Sequence, residues 1–181
     1  VFFCTGWGGL SETHDFLSRL FSSDERFTSP IDFIGSVHNA PAGQVAQHFQ
    51  AKGANITLTD GDYSFEQALF SAGLLANEAP GTALVIGADE YHEKLTPLFD
   101  ASAACASIAS DGGCGLLLQP IDAARGLRIA PVFISNDPFS EPAMHRLMLV
   151  LGGPETIDKK YGAVFAGIPA ASRDKGREQR A

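Results

Sequence analysis

Two carboxylates one residue apart, Asp60 and Asp62, stand in the string Ile56-Thr57-Leu58-Thr59-Asp60-Gly61-Asp62-Tyr63-Ser64. A β-branched and apolar run precedes them and a long apolar run follows, so they read as the turn between a strand and a helix. The first N–H groups of a helix lack intrahelical acceptors and its dipole is positive at that end, so an anion at Asp62 is stabilised. A cysteine held there would be a thiolate of lowered pKa. An aspartate there is an ionised carboxylate, and thioester chemistry is closed to it.

Other reactive side chains are less well placed. Cys105, in Ala104-Cys105-Ala106-Ser107, is followed within a few residues by Asp111-Gly112-Gly113 and a strand, not by the buried helix that would lower its pKa. With Cys4 and Cys114 it makes an odd set without metal-ligand spacing, read as buried free thiols of a reducing cytoplasm. His38 lies in Ser36-Val37-His38-Asn39-Ala40 just ahead of a helix; His14, His48, His92 and His145 are scattered. No G-x-S-x-G elbow, P-loop or G-x-G-x-x-G occurs, and neither a cofactor nor a metal is expected.

The elements that must position these groups follow from periodicity. Residues 1–5 form an apolar strand leading into the turn Gly6-Trp7-Gly8-Gly9. Ser11 caps a helix over 11–23 with Phe16, Leu17, Leu20 and Phe21 inward. A loop with Ser29-Pro30 comes next, then a helix from Asn39, its N-cap, to Lys52, with Val45, Ala46 and Phe49 inward. A strand at 55–59 leads to a helix over 64–77, capped by Ser64 with Gln67 completing a capping box. That helix has almost no polar face, which predicts cover on several sides. Strands follow at 83–87, 113–119 and 127–134. Pro142 opens a helix to 151, residues 161–168 read as a strand, and the charged tail as either a surface helix or a frayed end. Strands alternating with helices predict an α/β fold with a mixed, mostly parallel sheet and one buried apolar central helix.

The 181 residues fit one domain with a small extension, at 45% apolar and 19% charged residues. A net charge of −8 without a basic cluster before the tail argues against nucleic acid. No apolar run reaches the length of a membrane span. The chain opens inside an apolar strand without a methionine, which points to further sequence upstream.

Five segments, in order, resemble the N-terminal half of the β-ketoacyl-acyl-carrier-protein synthases of the thiolase superfamily. TGWGGLSETHDFL is similar to the family's glycine turn and helix, and SPIDFIGSVHNAPAGQVAQHF to the segment before its dimer-interface helix. GANITLTDGDYSFEQALFSAGLL is similar to the nucleophile strand, turn and helix, ALVIGADE to the G-[GA]-x-E strand, and DGGCGLLLQP to a later glycine-rich strand. The resemblance covers residues 1–135, an N-terminal domain, leaving 136–181 as an unassigned extension or the start of a second half. It places the family's nucleophile at Asp62 and its small residue two positions on at Ser64, while Phe65 stands where the family has glycine. His38, Asn39, Ser64 and Phe65 become candidates for an acyl tunnel or interface. Gly167 falls at the first of the family's catalytic histidines.

The implied function is a synthase-like subunit of fatty acid or polyketide biosynthesis without the nucleophile cysteine. It resembles the chain-length-factor-like proteins of aryl-polyene-type pathways. The implied partners are an active synthase subunit or a second copy, with an acyl carrier protein. A condensing acyltransferase working through another residue is the alternative. From a different class, the string DGDYS also resembles the D-x-D-x-[ST] signature of haloacid-dehalogenase-type phosphatases, a resemblance that implies Mg²⁺ with Asp60 attacking phosphate and Asp62 protonating the leaving group.

Overall fold

The computed structural model describes residues 1–26, 29–78, 81–99, 110–119, 129 and 141–160. The chain divides into two units, Val1–Ala124 and Arg125–Ala181. The first is built on β1 (Phe2–Cys4), α1 (Leu10–Ser22), α2 (Pro30–Ser36), α3 (Ala40–His48), β2 (Ile56–Leu58), α4 (Ser64–Glu78), β3 (Ala83–Asp89), α5 (Thr96–Phe99) and β4 (Gly112–Leu118). A single 3-10 turn, Gly61–Tyr63, leads directly into α4. The second unit contains α6 (Glu141–Val150) and α7 (Pro154–Lys160), joined through Gly152 and Gly153, both at positive φ.

The sheet has the order β2-β1-β3-β4. β1 pairs in parallel with β2 on one side and β3 on the other, with Cys4 opposite Leu58 and Gly87. β4 returns antiparallel to β3, setting Val85 against Leu116 and Gly87 against Cys114. Two parallel pairings flank β1, and its FFC run is buried throughout.

Side chains alternate across a strand, so Phe2 and Cys4 face one side of β1 and Phe3 the other. On the first side lies α4. Its Ala68 and Ala72, one helical turn apart and fully buried, form the core with Phe2, Cys4 and Val85, while Phe65, Leu69, Ile56, Leu58 and Leu118 pack around it. Two alanines at that spacing let the helix axis sit close to the sheet. The predicted cover on several sides is present on this one face: Phe70, Leu74 and Leu75 are exposed.

Several local expectations are corrected. The first helix starts at Leu10 with Gly9 at the N-cap, and Ser11 instead donates its backbone N–H to Glu90. Only Leu10 of that helix is buried; Phe21 is 64% exposed, so the 16/17/20/21 face is not the core face here. Phe16 meets Phe33 at 5.7 Å between ring centroids. The segment read as a loop around Ser29-Pro30 is the helix α2, whose N-cap Ser29 accepts from the Asp32 N–H and whose Pro30 fills N1. The next helix ends at His48, short of Lys52, and buries Ala42, while Phe49 is exposed. Cys114 is exposed, not buried. Neither α5 nor α7 was expected. The strands anticipated at 127–134 and 161–168, and Cys105 and Gly167, lie outside the described residues.

Candidate functional site

Two strand-to-helix turns lie side by side past the carboxyl ends of the parallel strands β1 and β2, where open α/β sheets gather their functional groups. One is Asp60–Ser64, the other Gly6–Gly9.

Asp62 is the middle residue of the 61–63 turn immediately before α4, the position foreseen from the sequence. The turn is fixed by Ser64. Its hydroxyl is buried, accepts from the Asp60 N–H at 2.8 Å, and lies 2.9 Å from the Thr5 carbonyl and 2.8 Å from that of Gly61 as acceptors for its proton. The capping box takes another form than expected: Gln67 reaches back with its amide Nε2 to the Asp60 carboxylate, not to a backbone N–H of Ser64. Asp60, the nucleophile of the phosphoryl-transfer alternative, is thereby engaged as a turn carboxylate behind the edge strand β2. Among the described residues, no group of three or more His, Cys, Asp or Glu is arranged to hold a metal ion.

Phe65 lies over Gly87 of β3, and a Cβ on that glycine would stand 3.1 Å from the ring and 3.2 Å from Cys4 Sγ. Phe65 is therefore a packing residue between α4 and the sheet. Burial pushes the Cys4 thiol up to about 11, with the nearby Asp89 carboxylate adding to the shift. It is a neutral thiol that donates to the Ile86 carbonyl at 3.2 Å, not a nucleophile.

The glycine turn is held from β3. Asp89 Oδ1 accepts from the Thr5 hydroxyl at 2.6 Å and from the Gly6 N–H at 2.7 Å, and Thr5 Oγ1 accepts in turn from the Gly8 N–H at 2.9 Å. Glu90 takes the Ser11 N–H at the start of α1. Both acidic residues thus satisfy the orphan donors of a turn and a helix end. Gly8 has φ +77°, and a Cβ there would stand 2.2 Å from His38 Cδ2, so the imidazole occupies the space a side chain would need. Asn39 sits at the N-cap of α3, its carbonyl accepting from the Gly43 N–H and its side chain making no capping bond.

His38 and the Asp62 turn therefore abut the same glycine turn at different residues. His38 lies on Gly8. The carbonyl of Gly61 is 3.5 Å from where a Cβ on Gly6 would be, and the Trp7 ring is 3.9 Å from that point on Gly61. Trp7 stacks on Phe99 of α5, centroids 5.4 Å apart. Neither aromatic was singled out from the sequence; a tryptophan between glycines was the available signal. Beside the turn, Phe3, Thr5, Gly8, Pro41, Ala88 and Gly113 help line an open cleft of about 470 Å³ with Asp89, Glu90 and Asp111 at its edge.

The fold matches solved structures. One is described as a ketosynthase (ApeO) in complex with its chain length factor (ApeC) from Xenorhabdus doucetiae. It is 22% identical, with a TM-score of 0.54 over 66% of this chain and 48% of that one. Another, the ishigamide ketosynthase/chain length factor, is 24% identical, with a TM-score of 0.63 over 84% of this chain and 46% of that one. This chain therefore spans somewhat under half the length of either neighbour, and the shared architecture is the mixed, mostly parallel sheet of a thiolase-like half. No curated protein matches it in sequence. Among the described residues no helix is long and apolar enough to cross a membrane. The model of the β-ketoacyl synthase N-terminal domain matches residues 1–129, and the chain belongs to that family.

Proposed function

We propose that this chain is a β-ketoacyl-synthase-like subunit that does not itself carry the acyl group and works beside an active synthase as a chain-length-factor-like partner. The observation that carries the reading is Asp62 in the turn ahead of α4, where the family resemblance puts the nucleophile cysteine. An aspartyl acyl anhydride is too labile to hold a growing chain, and a carboxylate there repels the carboxylate of a malonyl extender. The buried Ser64 network keeps the turn's shape without the chemistry it served. Both structural neighbours are described as a ketosynthase with a chain length factor, which supports the partner role. The proposed setting is cytoplasmic polyketide or aryl-polyene-type lipid assembly on an acyl carrier protein. Residues 1–135 form the synthase-like domain, and His38, Asn39 and Phe65 act as shape residues near the partner or the acyl tunnel.

The test is to co-purify the full chain with the synthase encoded beside it, supply acyl-carrier-protein thioesters, and measure intact masses. The expected result is a stable pair with the acyl mass on the synthase alone. An acyl adduct on this chain overturns the non-condensing role, and failure to form a pair overturns the partner role.

A further inference from the structure

The loop from β3 to α5 holds a histidine in a use that depends on its charge. His92 Nδ1 accepts the backbone N–H groups of Lys94 and Leu95, each at 3.2 Å. An imidazole nitrogen accepts only when it carries no proton, so the ring is neutral with its hydrogen on Nε2. The same residue's backbone closes the start of α5: its N–H donates to Thr96 Oγ1 at 2.8 Å and its carbonyl accepts the Thr96 N–H at 2.9 Å. His92 is thus the cap of a one-turn helix. The far end of that helix, Phe99, stacks on Trp7, and Trp7 lies against Gly61 beside Asp62.

We infer that His92 is a proton-sensitive latch, coupling acidification to the Trp7–Phe99 stack, whose Trp7 ring lies against Gly61 of the Asp60–Ser64 turn. When Nδ1 takes a proton from solvent, it turns from acceptor to donor and faces two N–H donors, so both bonds are lost and the loop must rearrange. The surroundings favour that response. His14 of α1 lies against the ring, centroids 4.8 Å apart, and its Nδ1 is 3.3 Å from the Asp15 carboxylate. A proton on both rings sets two like charges side by side on rings tilted by 39°. The other ionisable neighbours are Glu90, Tyr91, Glu93 and Lys94 on the same loop, and Asp111 before β4, whose carboxylate takes the Tyr91 N–H at 2.9 Å. Both histidines are only partly buried, so protons reach them from solvent. The inference rests on this geometry alone and is independent of whether the chain carries an acyl group.

Trp7 is the single tryptophan, which makes its emission the readout. Titration of the full chain from neutral to mildly acid pH should give an inflection in Trp7 fluorescence. His92→Asn, whose side chain also caps N–H groups but does not titrate, should abolish that inflection. Phe99→Leu should remove most of its amplitude, and His38→Asn should leave it in place. In the unaltered protein, the Lys94 and Leu95 amide resonances should shift with the same midpoint, a measurement that needs no variant to fold. A wild-type emission flat across that range overturns the latch, as does an inflection that survives in His92→Asn. Lys94 and Leu95 amides that do not move overturn it as well.

Discussion

The two turns at the carboxyl edge of the sheet do the same geometric task with opposite means. Asp60–Ser64 is fastened largely from within five residues, by the Ser64 hydroxyl to Asp60 and Gly61 and by Gln67 one turn on, with Thr5 as its distant contact. Gly6–Gly9 has one local tie, from the Gly8 N–H to Thr5 Oγ1, and is otherwise fastened by Asp89 and Glu90, roughly eighty positions away. A turn tied locally forms its bonds before the sheet assembles, because little chain must be closed. A turn tied through β3 takes its shape only once β3 has paired with β1. The first holds its shape chiefly from its own residues; the second is a readout of whether the sheet is built.

That contrast can be broken in three places. The largest effect is expected at Ser64→Ala, which takes the hydroxyl from the Asp60 N–H and from the buried Thr5 carbonyl together. Two lost partners, one part-buried and one buried, cost about 3 kcal/mol, read as a lower urea midpoint. A loss under roughly 0.5 kcal/mol would mean that water or a new bond replaces the hydroxyl, and that the local tie is not what holds the turn. Gly8→Ala is next, at about 2 kcal/mol, from left-handed backbone and the clash with His38. Adding His38→Ala should recover the steric share, leaving about 1 kcal/mol for the backbone; no recovery would place the imidazole elsewhere in solution. Asp89→Asn is the mildest, at about 1 kcal/mol, because the amide oxygen still accepts but without charge. Its signature is selective: faster hydrogen exchange at Gly6 with the Tyr63 amide unchanged. Equal acceleration at both would show that the two turns open as one.

The same contrast explains what the sequence disclosed. Asp62, Ser64 and the helix behind them were legible because strand, turn, cap and apolar run are consecutive, and the parallel sheet followed from their alternation. The partners of Asp89 and Glu90 were not, since nothing in ALVIGADE names Gly6 or Ser11. Ser29-Pro30-Ile31-Asp32 carries the cap and the N1 proline of α2, but a helix of seven residues shows too little periodicity to stand out in the sequence. The inward faces of α1 and α3 were misjudged for a related reason: both helices carry more apolar residues than the described unit buries, and amphipathic pattern alone does not say which stripe meets the sheet. His92 as a cap and the Trp7–Phe99 stack join segments whose contact depends on the tertiary fold.

Gly87 carries a consequence of its own. It has no site role, yet Phe65 from α4 and Cys4 from β1 close over it, each near 3 Å from any side-chain atom it could bear. The height at which α4 rides above the sheet, and with it the elevation of the turn bearing Asp62, is thus gauged by one missing methyl group on a neighbouring strand. Position 87 works as a shim: thickening it would tilt the turn without altering a single residue there, so the shape of the site can be tuned from beneath.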